Sequence, residues 1–429
     1  MGSLRGRSVL RGEQVVRITQ LDNGVRVITE SVEHVRSVAL GIWIAAGSKL
    51  EQPHEFGISH LLEHMLFKGT SRRSARDIAE EMAAVGGQLN AATDREYTTF
   101  YARVLKDDVA LAMDILGDML LNSLMDPEEL RREQDVVTDE IHRHEDAPED
   151  RVHDFLAELA WDGHALAHSV LGTEETVRSA TPEALHAYLK THYTPDRTVV
   201  AASGALEHEQ VVDLAAKSLE PMTGRAPDPA LPPLEHRPGR AILDRDTEAV
   251  YFCLGAPAYS ETDDRKYPLA ILDSVLGGGM SSRLFQEIRE KRGLAYDIGS
   301  YRLSYHEGGM LTVYGGTGAA TLGEVLSLVR AEIKSLRAGP PDPREMARAH
   351  AQIRAGLLMA QESMGTRMTR LGKCLLDYGR FIPVEEVVAR LDAVTENDVL
   401  NVAQEVLRPG ALTLAVVGPE DEVKEEVVL

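Results

Sequence analysis

Cysteine is nearly absent: Cys253 and Cys374 are the only two in 429 residues. Two thiols cannot build a disulfide framework, so the expectation is a chain held by hydrophobic cores in a reducing compartment. Long apolar runs are missing too. No stretch approaches the ~20 residues that span a bilayer, and the longest candidate, 38–47, reads as a buried strand. The start, Met1 to Arg7, leads into no apolar segment of a secretory signal and is short for a transit peptide. Gly6 stands where myristoylation requires Ser or Thr. These absences point to a cytoplasmic protein without a membrane partner. Basic charge is in deficit: 46 Lys and Arg face 68 Asp and Glu, for a net charge of -22. Phosphate backbones are repelled by such a chain, which argues against nucleic acid. A basic or neutral peptide is compatible with it.

What is present is an ordinary globular composition, 43% hydrophobic and 27% charged. The chain is too long for one compact core of usual size, so two domains of about 200 residues are expected. Between 221 and 240 lie Pro221, Pro227, Pro229, Pro232, Pro233 and Pro238, the composition of an extended and fairly stiff linker. The expected domains are therefore 1–220 and 241–429, joined by 221–240.

The two halves read as distant copies. Thr181-Pro182-Glu183 opens a helix that leads through Pro195 to the strand ending at Gly204. Thr395-Glu396-Asn397 opens another that leads through Pro409 to a strand ending at Gly418. Thr181 and Thr395, Pro195 and Pro409, and Gly204 and Gly418 are each 214 positions apart. One offset shared by helix, turn and strand indicates duplication. Runs of strands, such as 97–105 and 309–314, and runs of amphipathic helices, such as 109–121 and 322–336, do not alternate strictly. The fold class expected is α+β: two duplicated sandwich domains, each a mostly antiparallel sheet with helices on one face.

The chemistry concentrates in His60-Leu61-Leu62-Glu63-His64. On a helix, positions i, i+3 and i+4 share one face, so His60, Glu63 and His64 point the same way. Two neutral imidazoles aimed at one point suit zinc, and a neighbouring carboxylate can take a proton from water. Leu61, Leu62, Met65 and Leu66 make the helix largely apolar, so its polar groups are costly to bury unless paired or metal-bound. A third ligand is still needed. Asp126-Pro127-Glu128-Glu129 carries the signals of a helix start. On that helix Glu133 and Glu140 are seven apart and share a face. Either reaches a metal, and the other orients a ligand.

With these four positions the chain resembles the inverted-zincin metallopeptidases of the pitrilysin family, M16, in the branch of the mitochondrial processing peptidase and its bacterial relatives. The resemblance implies zinc held by His60, His64 and Glu140, with Glu63 as general base. Glu133 supports the site without binding the metal. Gly86-Gly87-Gln88-Leu89-Asn90-Ala91 resembles the strand on which the family lays its substrate, with Asn90 and Ala91 as contacts. Arg289 and Tyr296, also seven apart, resemble the pair that holds the substrate backbone and stabilises the oxyanion. Family members close like a clamshell on an unfolded peptide. A chain of this length is then expected to form a homodimer, or a heterodimer with an inactive paralogue. Arg289 and Tyr296 of one subunit would complete the zinc site of the other.

The second half lacks a metal set of its own. At offsets near 210, His60, Glu63 and His64 fall on Ala270, Asp273 and Ser274. Asp126-Pro127 and Asp342-Pro343 are 216 apart, which places Glu133 on Ala349 and Glu140 on Gly356. Gly277-Gly278-Gly279 is followed by no phosphate-binding Lys-Ser/Thr and reads as a flexible loop. The leading function is a zinc endopeptidase. A non-catalytic structural or partner subunit is the alternative, and a metal hydrolase acting on something other than peptides is a third reading.

Overall fold

The computed structural model describes residues 7–11, 14–227 and 231–422. The readings made on Met1 to Gly6 and on Pro229 lie outside the described residues. In chain order the first half contains β1 (Arg7–Arg11), β2 (Gln14–Gln20), β3 (Arg26–Ser31), β4 (Ser37–Ile44), α1 (Ile58–Leu66), α2 (Ala75–Ala84), β5 (Gln88–Thr93) and β6 (Thr98–Leu105). It continues with α3 (Val109–Asn122), α4 (Pro127–Glu145), α5 (Pro148–Ala160), α6 (Glu174–Ser179), α7 (Pro182–His192), β7 (Thr198–Gly204) and α8 (His208–Leu219). The second half contains β8 (Gly239–Asp244), β9 (Val250–Ala258), α9 (Lys266–Leu276), a π-helical turn (Phe285–Glu290), β10 (Ala295–Ser304) and β11 (Gly309–Thr317). Then follow α10 (Leu322–Ala338), α11 (Pro343–Met359), α12 (Met364–Tyr378), α13 (Val384–Asp392), α14 (Glu396–Val406) and β12 (Thr413–Gly418). The fold is α+β, as the sequence leads one to expect.

Helix starts follow local chemistry. Asp126 Oδ1 accepts from the amides of Glu128 and Glu129 at 2.8 and 3.2 Å, and Pro127 occupies the first position of α4. Thr181 and Thr395 accept from the amides of Ala184 and Asp398 at the starts of α7 and α14.

The duplication is explicit in the sheets. One sheet runs β1-β2-β3-β7-β4-β6-β5, and the other, read from its far edge, runs β8-β12-β9-β11-β10. β7 is parallel to β3 and antiparallel to β4; β12 is parallel to β8 and antiparallel to β9. The five-strand order β3-β7-β4-β6-β5 is thus repeated, with β1 and β2 added to the first copy.

Two compact units result, and they are not continuous in sequence. Unit 1 comprises 1–141, 169–230 and 360–381; unit 2 comprises 142–168, 231–359 and 382–429. A single break at 221–240 misses one exchange. α5, encoded in the first half, belongs to unit 2, and α12, encoded in the second, belongs to unit 1. Met364 follows Pro148 by 216 positions, the offset of the Asp-Pro pair, so α5 and α12 are equivalent helices that have traded units.

Burial explains the trade. One face of the first sheet packs Leu40, Ile42 and Phe100 against Leu61, Leu116 and Met119. The other face carries Ile28, Trp43, Val199 and Ala201, which need a cover of their own. Met364, Met368, Leu371 and Leu375, one stripe of α12, supply it. The helix sits close because Gly41 and Gly372 have no side chains. A Cβ on Gly41 would meet Met368 Sδ at 2.8 Å, and one on Gly372 would meet the Trp43 ring at 2.7 Å. In unit 2, Val152, Leu156, Ala157 and Ala160 of α5 cover Cys253, Met310, Ala415 and Val417 in the same manner. Arg367 of α12 is pinned to Glu30 by a buried ion pair of 2.7 Å. Among the described residues, no helix is long and apolar enough to cross a membrane.

Candidate metal centre

α1 is fixed from its buried side. Leu61, Leu62, Met65 and Leu66 are fully enclosed in the core of unit 1. The helix begins at Gly57 with φ +90°, where a Cβ would meet the Leu171 carbonyl at 2.5 Å. No side chain of the start itself caps the helix. The buried carboxylate of Glu51 does so instead, accepting from the amides of Gly57 and Ser59 at 2.8 Å each. Ser59 and Tyr188 share a hydroxyl–hydroxyl bond of 2.8 Å. This anchoring leaves the opposite face of α1, with His60, Glu63 and His64, turned toward α4 and β5.

α4 brings both of its glutamates to that face. Glu140 Oε2 stands 3.7 Å from His60 Nε2 and 3.7 Å from His64 Nε2. These are not hydrogen-bond distances, and Glu140 Oε2 is buried with no hydrogen-bond partner. Zinc bonds of ~2.1 Å in tetrahedral array separate their ligand atoms by about 3.4 Å, close to this spacing. His60, His64 and Glu140 are also the one group of three potential ligands found among the described residues, with atoms within 4.8 Å of one another. Two imidazoles and one carboxylate suit a divalent ion and leave a further position open. The donor set fits zinc.

The imidazoles are prepared for that role. Glu133 Oε2 bonds His64 Nδ1 at 3.0 Å, and Lys68 Nζ bonds the other Glu133 oxygen at 2.6 Å. A carboxylate on Nδ1 holds the proton there and leaves the Nε2 lone pair facing Glu140 and His60. Burial, and then the neighbouring His64, lower the pKa of His60 to about 4, so its ring is neutral at neutral pH.

Glu63 lies beside this group and outside it. Its Oε2 accepts a 2.5 Å bond from Thr93 Oγ1 on β5. Burial raises its pKa, opposed by the Thr93 bond and by His64 and reinforced by Glu140. A carboxylate so placed is suited to accepting and returning a proton.

The structure brings His60, Glu63, His64, Glu133 and Glu140 together in unit 1. Asn90 and Ala91 are on β5, the outer strand of the same sheet, where Asn90 Oδ1 accepts from the Ala91 amide at 2.9 Å. Arg289 and Tyr296 belong to unit 2. The Arg289 guanidinium lies over the rings of Phe285 and Tyr296 at 4.8 and 4.7 Å, and Tyr296 is 84% exposed at the start of β10. Three residues of the site were missed in the sequence: Glu51, Lys68 and Thr93. Lys68 is four positions after His64, just past the end of α1, a spacing available at the outset. Thr93 meets α1 only through tertiary packing, and Glu51 reaches the start of α1 from the loop just before it.

A family model described as insulinase, peptidase family M16, matches residues 26–174, and one described as the peptidase M16 inactive domain matches 179–353. An uncharacterized zinc protease of Streptomyces coelicolor is 40% identical, covering 97% of this chain and 93% of its own. One of Bacillus subtilis is 39% identical, covering 92% and 97%. In solved structures the fold is similar to a protease from Helicobacter pylori, with TM-score 0.87 and 18% identity over 97% of this chain and all of that one. It is similar also to a peptidase M16 inactive domain from Pseudomonas fluorescens, with TM-score 0.89 and 19% identity over 94% and 98%. With the family models matching on both halves and relatives near 40% identity along the whole length, this chain is a member of peptidase family M16.

Proposed function

We propose that the chain is a zinc-dependent endopeptidase that hydrolyses extended peptides. The observation that carries this reading is the placement of Glu63 beside, and not within, the His60–His64–Glu140 group. A purely structural metal site has no use for a fourth, raised-pKa carboxylate held at its margin.

His60, His64 and Glu140 would hold the metal, and Glu133 orients His64. When bound, zinc supplies Lewis acidity toward water and a carbonyl oxygen. Glu63 takes the proton of the attacking water and returns it to the leaving amine. The Thr93 bond holds the Glu63 carboxylate in one orientation through both transfers. The substrate lies as an added strand on β5, with main-chain bonds near Asn90 and Ala91, so that cleavage tolerates varied side chains. Tyr296 and Arg289 bind the substrate backbone and steady the developing oxyanion, contributed by a second copy of the chain or by an inactive paralogue.

The test is cleavage of a mixed peptide pool read by mass spectrometry, comparing wild type with Glu63→Gln, alongside metal analysis of both proteins. Chelator-sensitive cleavage by wild type alone supports the reading. Well under one zinc per chain, with no chelator-sensitive cleavage, sinks it in favour of a non-catalytic subunit.

A further inference from the structure

On the α12 side of the unit 1 sheet lies a cleft of about 760 Å³. Its floor is three rows across β4, β6 and β5: Trp43–Thr99–Ala92, Gly41–Tyr101–Asn90 and Ala39–Arg103–Gln88. Its wall is the start of α12, at Ser363, Thr366 and Met368. The cleft exists because α12 packs on β3, β7 and β4 and leaves this face of β6 and β5 uncovered. Its lining reaches β5, the outer strand of the sheet. One polar atom inside it has no partner. Thr99 is 3% exposed, and its Oγ1 is buried with no hydrogen-bond partner.

β5 connects this cleft with the metal centre. Successive side chains of a strand point to opposite faces. Thr93 faces Glu63, and Leu89 and Ala91 pack against the core, whereas Gln88, Asn90 and Ala92 face the cleft. A peptide strand added to β5 obeys the same alternation. Residues facing the metal alternate with residues facing the cleft.

We propose that this cleft is a specificity pocket that accepts an aromatic side chain, tyrosine foremost, from a substrate position on the face opposite the metal. The inference rests on the peptidase reading above and names the substrate class for it. Neighbouring strands lie about 4.8 Å apart, so Thr99 is about 10 Å from an added strand. An aromatic side chain spans that gap by leaning across the small Ala92, and Ala or Val does not. Trp43, Tyr97 and Tyr101 line the cleft and offer ring contacts, and a tyrosine hydroxyl can satisfy Thr99 Oγ1.

The experiment uses the zinc-loaded full chain and peptide libraries with one position randomised at a time, read as kcat/KM ratios between members. Binding of the same peptides to Glu63→Gln gives the ranking without turnover. At one or more alternate positions wild type should prefer Tyr over Ala by roughly tenfold. Thr99→Val should remove the advantage of Tyr over Phe, about three- to tenfold. Thr366→Trp, which fills the cleft, should bring the aromatic-to-alanine ratio towards one. Should the Trp variant fail to fold, Thr99→Val decides the matter alone. Cleavage with no aromatic preference, or a preference untouched by both variants, overturns the pocket and leaves the peptidase reading standing. No cleavage of any library member by wild type overturns both.

Discussion

Glu133 bonds His64 Nδ1 at 3.0 Å with one carboxylate oxygen while the other takes Lys68 Nζ at 2.6 Å. The glutamate is 6% exposed, so the pair is screened from water and its geometry is held from both sides. One side chain thereby sets the tautomer of His64, a zinc ligand in the proposed function, without joining the His60–His64–Glu140 group. That relationship divides the two glutamates of α4 into different tasks, although their spacing alone treats them alike.

The division is measurable. Glu133→Gln should keep the fold and lower zinc affinity about 10- to 100-fold. Glu140→Gln should reduce zinc binding further, since a ligand is lost. Competition with a graded chelator series gives both numbers. Equal losses for the two variants would contradict the assignment.

Glu63→Gln should retain zinc at the wild-type level and lose about 10²- to 10⁴-fold in kcat/KM. Metal content and peptide turnover on the same preparations check this together. Near wild-type turnover in the metal-loaded variant would remove Glu63 as the proton carrier.

The candidate site was legible where its parts are periodic along a helix. His60, Glu63 and His64 are set by i, i+3 and i+4, and Glu133 and Glu140 by two turns of α4, so sequence spacing is already spatial spacing. The duplication was legible for a similar reason, because a common offset survives in Thr181 and Thr395 or Gly204 and Gly418. The exchange of α5 and α12 was not. Their apolar stripes announce amphipathic helices, and nothing in a stripe says which sheet it will cover. Thr93 and the Thr99 cleft were hidden because each arises where a strand meets elements distant in sequence, and Glu51 because the loop before α1 carries no periodic signal.

Arg289 and Tyr296 can be placed by complementation. Chains carrying Glu63→Gln and chains carrying Tyr296→Phe should each be weak alone. Mixed, they should recover about a quarter of wild-type turnover if one subunit supplies Tyr296 to the other and assembly is random, an expectation that rests on a symmetric pair. A mixture no more active than the better single variant rejects sharing between chains.

The ion pair between Glu30 and Arg367 fastens α12 to unit 1, and Ser203 Oγ donates to the same glutamate at 3.3 Å. Both partners are nearly fully buried, at 4% and 7% exposure. Removing one leaves the other charged and enclosed, which typically costs 3–5 kcal/mol. Glu30→Ala and Arg367→Ala should each lower stability by about that amount. The double variant, Glu30→Ala with Arg367→Ala, should cost much less than the sum. Urea denaturation of the four proteins completes the cycle, and simple additivity would show that the pair does not act as a unit.

Acid should weaken the fold through histidines held neutral. His192 in unit 1 has its pKa lowered to about 4 by burial and then by Arg197, which donates to its Nδ1 at 3.2 Å. His236 in unit 2 is lowered to about 4 by burial. In the unfolded chain both return to about 6.5. Between these values the unfolded state binds protons that the native state refuses, so the stability these rings contribute is whole above pH ~6.5 and is lost as pH falls towards ~4. His192→Gln keeps an acceptor for Arg197 and cannot titrate, and His236→Gln cannot titrate and keeps a donor for Thr413 Oγ1, which lies 3.0 Å from His236 Nε2 and itself donates to the Arg237 carbonyl. Each variant should start at or below wild-type stability at pH 7.5 and lose less of it by pH 5. Thermal denaturation at half-unit pH steps reads the slope directly. Parallel curves for wild type and both variants would mean that acid acts on this protein through other groups.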